Sequence, residues 1–365
     1  MAVWRILIGG FTTAIFHAFS QETPQVIFSP PLATLPRMPG SESHLYDQAI
    51  SLMAVGDLLM GGSALQVIQR EGADYPFDST RHILSSADLT TANLEAPFTS
   101  GGTPFDKTYT FRVPPPFASS LLPAGFDVLT LANNHILDFG PEGLHSTLNT
   151  LDSLGIATCG AGRNAKEAEQ GVILKKGRWR IGFLAYSLTF PTEFWATDSS
   201  SGTAYPRSPC VRQTIQEMSE QVDLLVVAFH WGGELKADPK PYQRQYAHRA
   251  IDWGADLIIG HHPHVLQGME LYRDRLIAYS LGNFVFGSYS RNARDSIILR
   301  VRYDRLGLLY AEIIPISVFN LEVQFQPRLL RGKERDRVFG TLNVISKNLN
   351  NGRDILRPSG LITLD

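Results

Sequence analysis

Short apolar runs alternate with amphipathic stretches along most of this sequence. Ile50–Val55, Leu89–Asn93, Val128–Leu131, Ile181–Tyr186, Leu224–Phe229, Leu257–Ile259 and Leu276–Tyr279 have the length and β-branched content of buried strands. Between them, Gly143–Leu154, Val211–Gln221 and Tyr242–Trp253 space their apolar residues as one face of a helix. The alternation predicts an α/β domain whose strands are covered by helices. Ser296–Val301 and Tyr310–Ile316 read as a closing hairpin. Beyond it the chain becomes more charged, so 318–365 is expected to be a small peripheral C-terminal appendage.

The N-terminus follows a different pattern. Arg5 is the only charge before an apolar run from Ile6 to Phe19, and Ala18-Phe19-Ser20 is a small-x-small site ahead of Gln21. This predicts an export signal at 1–20. The run falls short of the roughly 20 residues that span a bilayer as a helix. An uncleaved shallow anchor, the one membrane contact expected, and a buried first strand are the alternatives. Pro24, Pro30, Pro31, Pro36 and Pro39 make 21–48 an extended Pro-rich linker, with order expected from Ala49. Export implies an oxidising compartment, where Cys159 and Cys210 either pair or stay as separate thiols.

Polar, ligand-type residues recur where the apolar runs end. Ile50–Val55 leads to Gly56-Asp57, Leu89–Thr91 to Asn93-Leu94-Glu95, and Val128–Ala132 to Asn133-Asn134-His135 with Asp138 behind. Leu224–Phe229 leads to His230-Trp231-Gly232, Leu257–Gly260 to His261-His262-Pro263-His264, and Leu276–Leu281 to Gly282-Asn283. In α/β sheets, ligands bind in the crevice beyond the carboxyl ends of the strands. Turns require Gly and Asn but gain nothing from three imidazoles around a proline, whereas neutral imidazole is a good transition-metal ligand. Carboxylates, an amide oxygen and histidines together predict Mn, Fe or Zn, and are too rich in nitrogen for Ca or Mg.

Composition narrows the rest. Hydrophobic residues at 44% and charged residues at 19% describe a globular chain, and 33 basic against 35 acidic residues offer no overall attraction to nucleic acid. No nucleic-acid partner is expected. Gly160-Ala161-Gly162 lacks the Rossmann spacing, and no nucleophile elbow or Walker A lysine occurs.

In their order, Gly56-Asp57, Asn93-Leu94-Glu95, Asn134-His135-x-x-Asp138-x-Gly140, His230-Trp231-Gly232-x-Glu234, Gly260-x-His262-Pro263-His264-Val265 and Ser280-Leu281-Gly282-Asn283-Phe284 resemble the CapA family. This is the poly-γ-glutamate capsule biosynthesis branch of the calcineurin-like metallophosphoesterase superfamily. The resemblance spans roughly Ala49 to Ile316 and implies a four-layer α/β/β/α sandwich at 49–317. It implies metal ligation by Asp57, Glu95 (less readily Asn93), Asn134, His230, His262 and His264, with one or two ions bound. Glu95, Asn134, His230 and His262 would serve one ion, and Asp57, Glu95 and His264 the other. His135 is the implied general acid, with Asp138 orienting it.

Lys107 and Arg112 either hold an anionic substrate or are solvated charges. Trp231 either walls the pocket or packs in the core, and Glu234 and Asn283 complete the expected substrate contacts. One position departs from the superfamily, where a histidine usually follows the first aspartate by two residues; here it is Leu59. The resulting expectation is an exported metal-dependent hydrolase acting on a phosphoester or an anionic polymer such as poly-γ-glutamate. The alternative is a non-catalytic metal-binding accessory protein of the capsule synthesis machinery.

Overall fold

A computed structural model describes residues 49–207 and 210–364. The expected export signal at 1–20 and the expected linker at 21–48 lie outside them. In chain order the strands are β1 (Ile50–Leu58), β2 (Leu89–Leu94), β3 (Val128–Thr130), β4 (Ala157–Cys159), β5 (Ala161–Gly162) and β6 (Val172–Lys176). Then come β7 (Trp179–Ser187), β8 (Gly202–Thr203), β9 (Leu224–His230), β10 (Leu257–His261), β11 (Met269–Tyr272) and β12 (Arg275–Ala278). The last are β13 (Asn283–Val285), β14 (Asp295–Asp304), β15 (Gly307–Ser317), β16 (Arg328–Leu329) and β17 (Leu361–Ile362). The longer helices are α1 (Ser63–Glu71), α2 (Gly140–Ser153), α3 (Cys210–Ser219), α4 (Pro241–Asp252) and α5 (Gly332–Ser346).

Two large sheets result. One runs β16-β15-β14-β1-β2-β3-β4, with β13 also on β1 and β17 on β15; the other runs β11-β12-β10-β9-β7-β6. Strand alternation sends successive side chains to opposite faces and so divides the core into layers. Leu52 and Ala54 of β1 share an apolar cluster with Phe183, Val226, Ala228 and Ile259 of the second sheet. On the other face of β1, Met53 and Val55 pack with Ile68 of α1 and with Leu144 and Leu151 of α2. Leu225 and Val227 of β9 pack outward on Ile215 of α3 and on Ala247 and Ile251 of α4. The order helix, sheet, sheet, helix is the expected four-layer sandwich.

The segment from 318 onward is not peripheral. Leu330, Val338, Phe339, Leu342, Leu356 and Ile362 join the cluster between the two sheets. β16 and β17 both pair antiparallel with β15. The charges of α5 are a continuous run, Lys333 to Arg337, in its first turns ahead of the buried Val338, Phe339 and Leu342, which is why the sequence reads as an appendage.

Chain crossings at the strand ends explain two glycines. Between β12 and β13 the chain passes from the second sheet to the first, and the Asp57 backbone N–H donates to the Gly282 carbonyl at 3.0 Å. A Cβ on Gly56 would lie 1.8 Å from that carbonyl oxygen, and one on Gly260 would lie 1.9 Å from the Tyr279 oxygen. Only glycine permits such an approach. Both cysteines are free thiols: Cys159 is buried and Cys210 is exposed. Burial pushes the Cys159 thiol up to about 12.

Candidate metal centre

The carboxyl ends of β1 and β2 meet those of β9 and β10. Parallel register sets Asp57 beside Asn93 on one flank and Asn283 on the other, and sets His230 beside His261. Glu95, Asn134 with His135, and His262 with His264 follow just beyond β2, β3 and β10. The last turn is unusual in that His262 and His264 both adopt positive φ, 95° and 58°. Such backbone costs on the order of 1–3 kcal/mol per residue and concentrates at functional sites.

Two donor groups emerge. Ligand atoms of Glu95, His230 and His262 lie within 4.8 Å of one another, as do those of Asp57, Glu95 and His264. Glu95 is common to both. Asn134 Oδ1 lies 2.7 Å from His230 Nε2, which places the amide oxygen at the first group. Asp57 and Glu95 are fully buried and His230 is 1% exposed.

A frame of amides and imidazoles holds the two carboxylates. Asn93 Nδ2 donates to Asp57 Oδ1 at 2.9 Å and to Glu95 Oε2 at 3.1 Å. Asn133 in turn donates to Asn93 Oδ1 at 3.0 Å and to the Leu94 carbonyl at 2.7 Å, and accepts the backbone N–H groups of His135 and Ile136. Asp57 Oδ2 accepts the His262 backbone N–H at 3.2 Å and lies 3.1 Å from His264 Nδ1. The same nitrogen is 3.0 Å from Asn283 Oδ1. Both neighbours are acceptors, so His264 Nδ1 carries a hydrogen, and Nε2 lies 3.9 Å from Glu95 Oε1. His261 Nδ1 approaches Asp57 Oδ1 to 3.3 Å.

Charge follows this geometry. Burial alone would raise the Asp57 carboxyl, but His261 and His264 hold it well below the usual range. Burial, reinforced by Asp57, pushes Glu95 well above its ordinary value. Burial, together with His262, lowers His230 well below its ordinary value. His262 is brought down to about 3 by burial and by His264. Both imidazoles are therefore neutral at pH 7, the form that ligates metals. Glu95 Oε1 and His262 Nδ1 are buried without a hydrogen-bond partner. Leaving such atoms unmatched costs about 1–3 kcal/mol each, and a divalent cation would satisfy them. The donor set fits such an ion. Leu59, where the resemblance leads one to expect a histidine, is 1% exposed and packs in the apolar cluster under the helices.

A second polar group adjoins the first. His135 Nδ1 lies 2.8 Å from Asp138 Oδ2, which also accepts the Phe111 backbone N–H at 2.6 Å. Lys107 Nζ sits 2.5 Å from Asp138 Oδ1 and donates to the Asn134 carbonyl. Burial lowers His135 although Asp138 pulls the other way.

The other expected contacts separate. Lys107 is ion-paired inside the site and is not a solvated surface charge. Arg112 is exposed and stacks 4.6 Å over the Phe139 ring. Glu234 is exposed, and its charge is felt at Glu95. Asn283 is buried and orients His264. Trp231 does not wall a pocket: it is fully buried, stacks 4.6 Å from Phe229, and donates from Nε1 to the Tyr279 carbonyl at 3.0 Å. It follows His230 by one residue on an extended backbone, so it faces away from the ligand side. Asn93 and Asn133 gain a framing role that their positions at strand ends hinted at without defining.

Comparison with known proteins places this site in a family. The family described as "Bacterial capsule synthesis protein PGA_cap" matches residues 51–288. The capsule biosynthesis protein CapA of Bacillus anthracis is 30% identical over 283 residues, covering 75% of this chain and 69% of that protein. The PGA biosynthesis protein CapA of Bacillus subtilis (strain 168) is 32% identical over 275 residues, covering 74% and 72%. A phosphatase structure from Mycoplasma pneumoniae is similar at 15% identity and a TM-score of 0.46, covering 74% of this chain and 94% of that one. With every residue of the candidate centre inside the matched span, the chain belongs to the bacterial capsule synthesis protein PGA_cap family.

Proposed function

We propose that this chain is an exported, metal-dependent hydrolase that acts on an anionic envelope substrate, a phosphoester or poly-γ-glutamate. The observation that supports it is the buried pair of donor groups sharing Glu95, whose Oε1 has no hydrogen-bond partner, directly beside the His135–Asp138 pair. Asp57, Glu95, Asn134, His230, His262 and His264 would hold one or two ions of Mn, Fe or Zn. A divalent ion held there supplies Lewis acidity, making water nucleophilic near pH 7 and offsetting charge that develops on the attacked group. Asp138 fixes the hydrogen of His135 on Nδ1, which leaves Nε2 to take up a proton and pass it to the leaving group. Asp138 then stabilises the imidazolium, with Lys107 Nζ paired to the other oxygen of that buried carboxylate.

A second reading, a metal-binding accessory protein for capsule assembly, draws support from Leu59, which offers no ligand to the Asp57 subsite. One experiment separates the two. Metal content of residues 21–365, purified without chelator, is measured by plasma mass spectrometry beside His262→Ala/His264→Ala and His135→Ala variants. All three are then screened on phosphodiesters and poly-γ-glutamate. The hydrolase reading expects bound metal in the parent, loss of it in the double variant, and turnover about 100-fold lower in His135→Ala with metal retained. Bound metal without turnover on any substrate would favour the accessory protein. No metal after incubation with Mn, Fe or Zn would sink both.

A further inference from the structure

Of the three imidazoles in the His261-His262-Pro263-His264 turn, two stand in the donor groups and the third does not. His261 closes β10, in register with His230 of β9. Strand alternation puts it on the same face as Leu257 and Ile259, which pack in the apolar cluster between the sheets. It is 3% exposed. An imidazole is a poor occupant of that row, because its ring nitrogens give up water and need partners. Packing alone does not account for it.

The group it faces is Asp57. His261 Nδ1 lies 3.3 Å from Asp57 Oδ1 and has no hydrogen-bond partner elsewhere among the described residues. The line is too long or too bent for a full hydrogen bond, as working contacts in a free protein often are. Asp57 Oδ1 also accepts the Asn93 amide, while Oδ2 accepts the His262 backbone N–H and lies beside His264 Nδ1. Four nitrogens thus surround one fully buried carboxylate, two at each oxygen. Among the described residues no Lys or Arg pairs with it. The contact also joins the two sheets, since Asp57 stands near the end of β1 and His261 ends β10.

We propose that His261 is a positioning residue, whose Nδ1–H holds Asp57 Oδ1 from the second sheet and so turns Oδ2, the oxygen beside His264, toward a bound ion. A carboxylate only accepts, so a nitrogen facing it must carry the hydrogen. His261 belongs to neither donor group and reaches an ion only through Asp57. That support matters on this side of the centre, where Leu59 packs in the apolar cluster and contributes no donor. Partners that orient a ligand in this way typically carry 10–100-fold in metal affinity. The inference rests on the metal-binding part of the proposed function and not on hydrolysis.

The test compares the full chain with His261→Asn, whose amide can stand where Nδ1 does, and with His261→Phe, which keeps the bulk without a donor. Zn affinity is read by competition with a chromophoric chelator. His261→Phe is expected to bind Zn 10–100-fold more weakly, and His261→Asn to recover most of the loss. In the parent labelled with 15N-histidine and stripped of metal, the His261 ring is identified as the signal missing from His261→Asn. Its hydrogen is expected on Nδ1, and to remain there when Zn is added. Equal affinity of the parent and a folded His261→Phe would reduce His261 to packing and overturn the proposal. So would a hydrogen on Nε2 alone, which leaves Asp57 without this donor, or loss of the Nδ1 hydrogen on adding Zn, which makes His261 a ligand itself. If His261→Phe shows no thermal transition like the parent's, the Nδ1 hydrogen and the His261→Asn affinity decide. A parent that binds no Zn would sink the metal reading and this role with it, whereas a parent that binds Zn as tightly as His261→Phe sinks this role alone.

Discussion

His262 carries the most readily tested charge in the centre. Burial and its neighbour His264 bring its pKa down to about 3, so the folded chain keeps it neutral while the unfolded chain titrates it near 6.5. The unfolded state therefore binds the extra proton between those values, and acidification below 6.5 favours unfolding. Glu95, raised by burial and by Asp57, acts with the opposite sign, so the useful quantity is a difference between parent and variant. In metal-free protein, urea unfolding of the parent and His262→Ala at pH 7 and pH 5 should show the parent's advantage shrinking by on the order of 1 kcal/mol per pH unit. An advantage that stays constant would mean that His262 is free to protonate in the folded chain. At this scale the sequence was legible in ligand types and silent on pairings. Asp57, Glu95 and the histidines stood at strand ends, but nothing in the sequence spacing brings Lys107 to Asp138, thirty-one positions later. Trp231, in contrast, was readable, since the residue after a ligand on a strand faces the opposite side.

Elements reach the site through close backbone crossings. Gly56→Ala would drive a methyl group to 1.8 Å from the Gly282 carbonyl, a backbone atom that cannot swing aside. A loss of about 3 kcal/mol in urea unfolding is expected, with reduced metal content because Asp57 is the next residue. Unchanged stability would show that the crossing is looser than described. The strands over Ile50, Leu89, Leu224 and Leu257 were legible because parallel strands covered on both faces are continuously apolar. Edge strand β6, from Val172 to Lys176, was not, because its burial is partial and it ends in two lysines. Helix α1 buries only Ala64 and Ile68, too sparse a stripe to read from spacing. The apolar side of α5, carried by Val338, Phe339 and Leu342, was hidden behind a run of charges.

The whole molecule depends on its C-terminal segment. Ending the chain at residue 317 removes Leu330, Val338, Phe339, Leu342, Leu356 and Ile362 from the cluster between the sheets. At about 1.5–3 kcal/mol for each buried side chain, the loss approaches or exceeds the 5–15 kcal/mol by which domains are stable. The truncated chain is expected to lack a cooperative thermal transition by circular dichroism; a transition like that of the full chain would restore the appendage description. The pairing of β1 extends this dependence to the order of synthesis. Its first partner, β2, is complete by Leu94, but β13 and β14 on its other edge are not complete until Val285 and Asp304. Until then a nascent chain carries β1 as an open edge that invites wrong pairing, and it has no route to the finished cleft because Asn283 and His264 have yet to arrive. Assembly of the donor groups is thus a late event in the life of the polypeptide, governed by contacts more than two hundred residues apart, the class of contact that folds slowly.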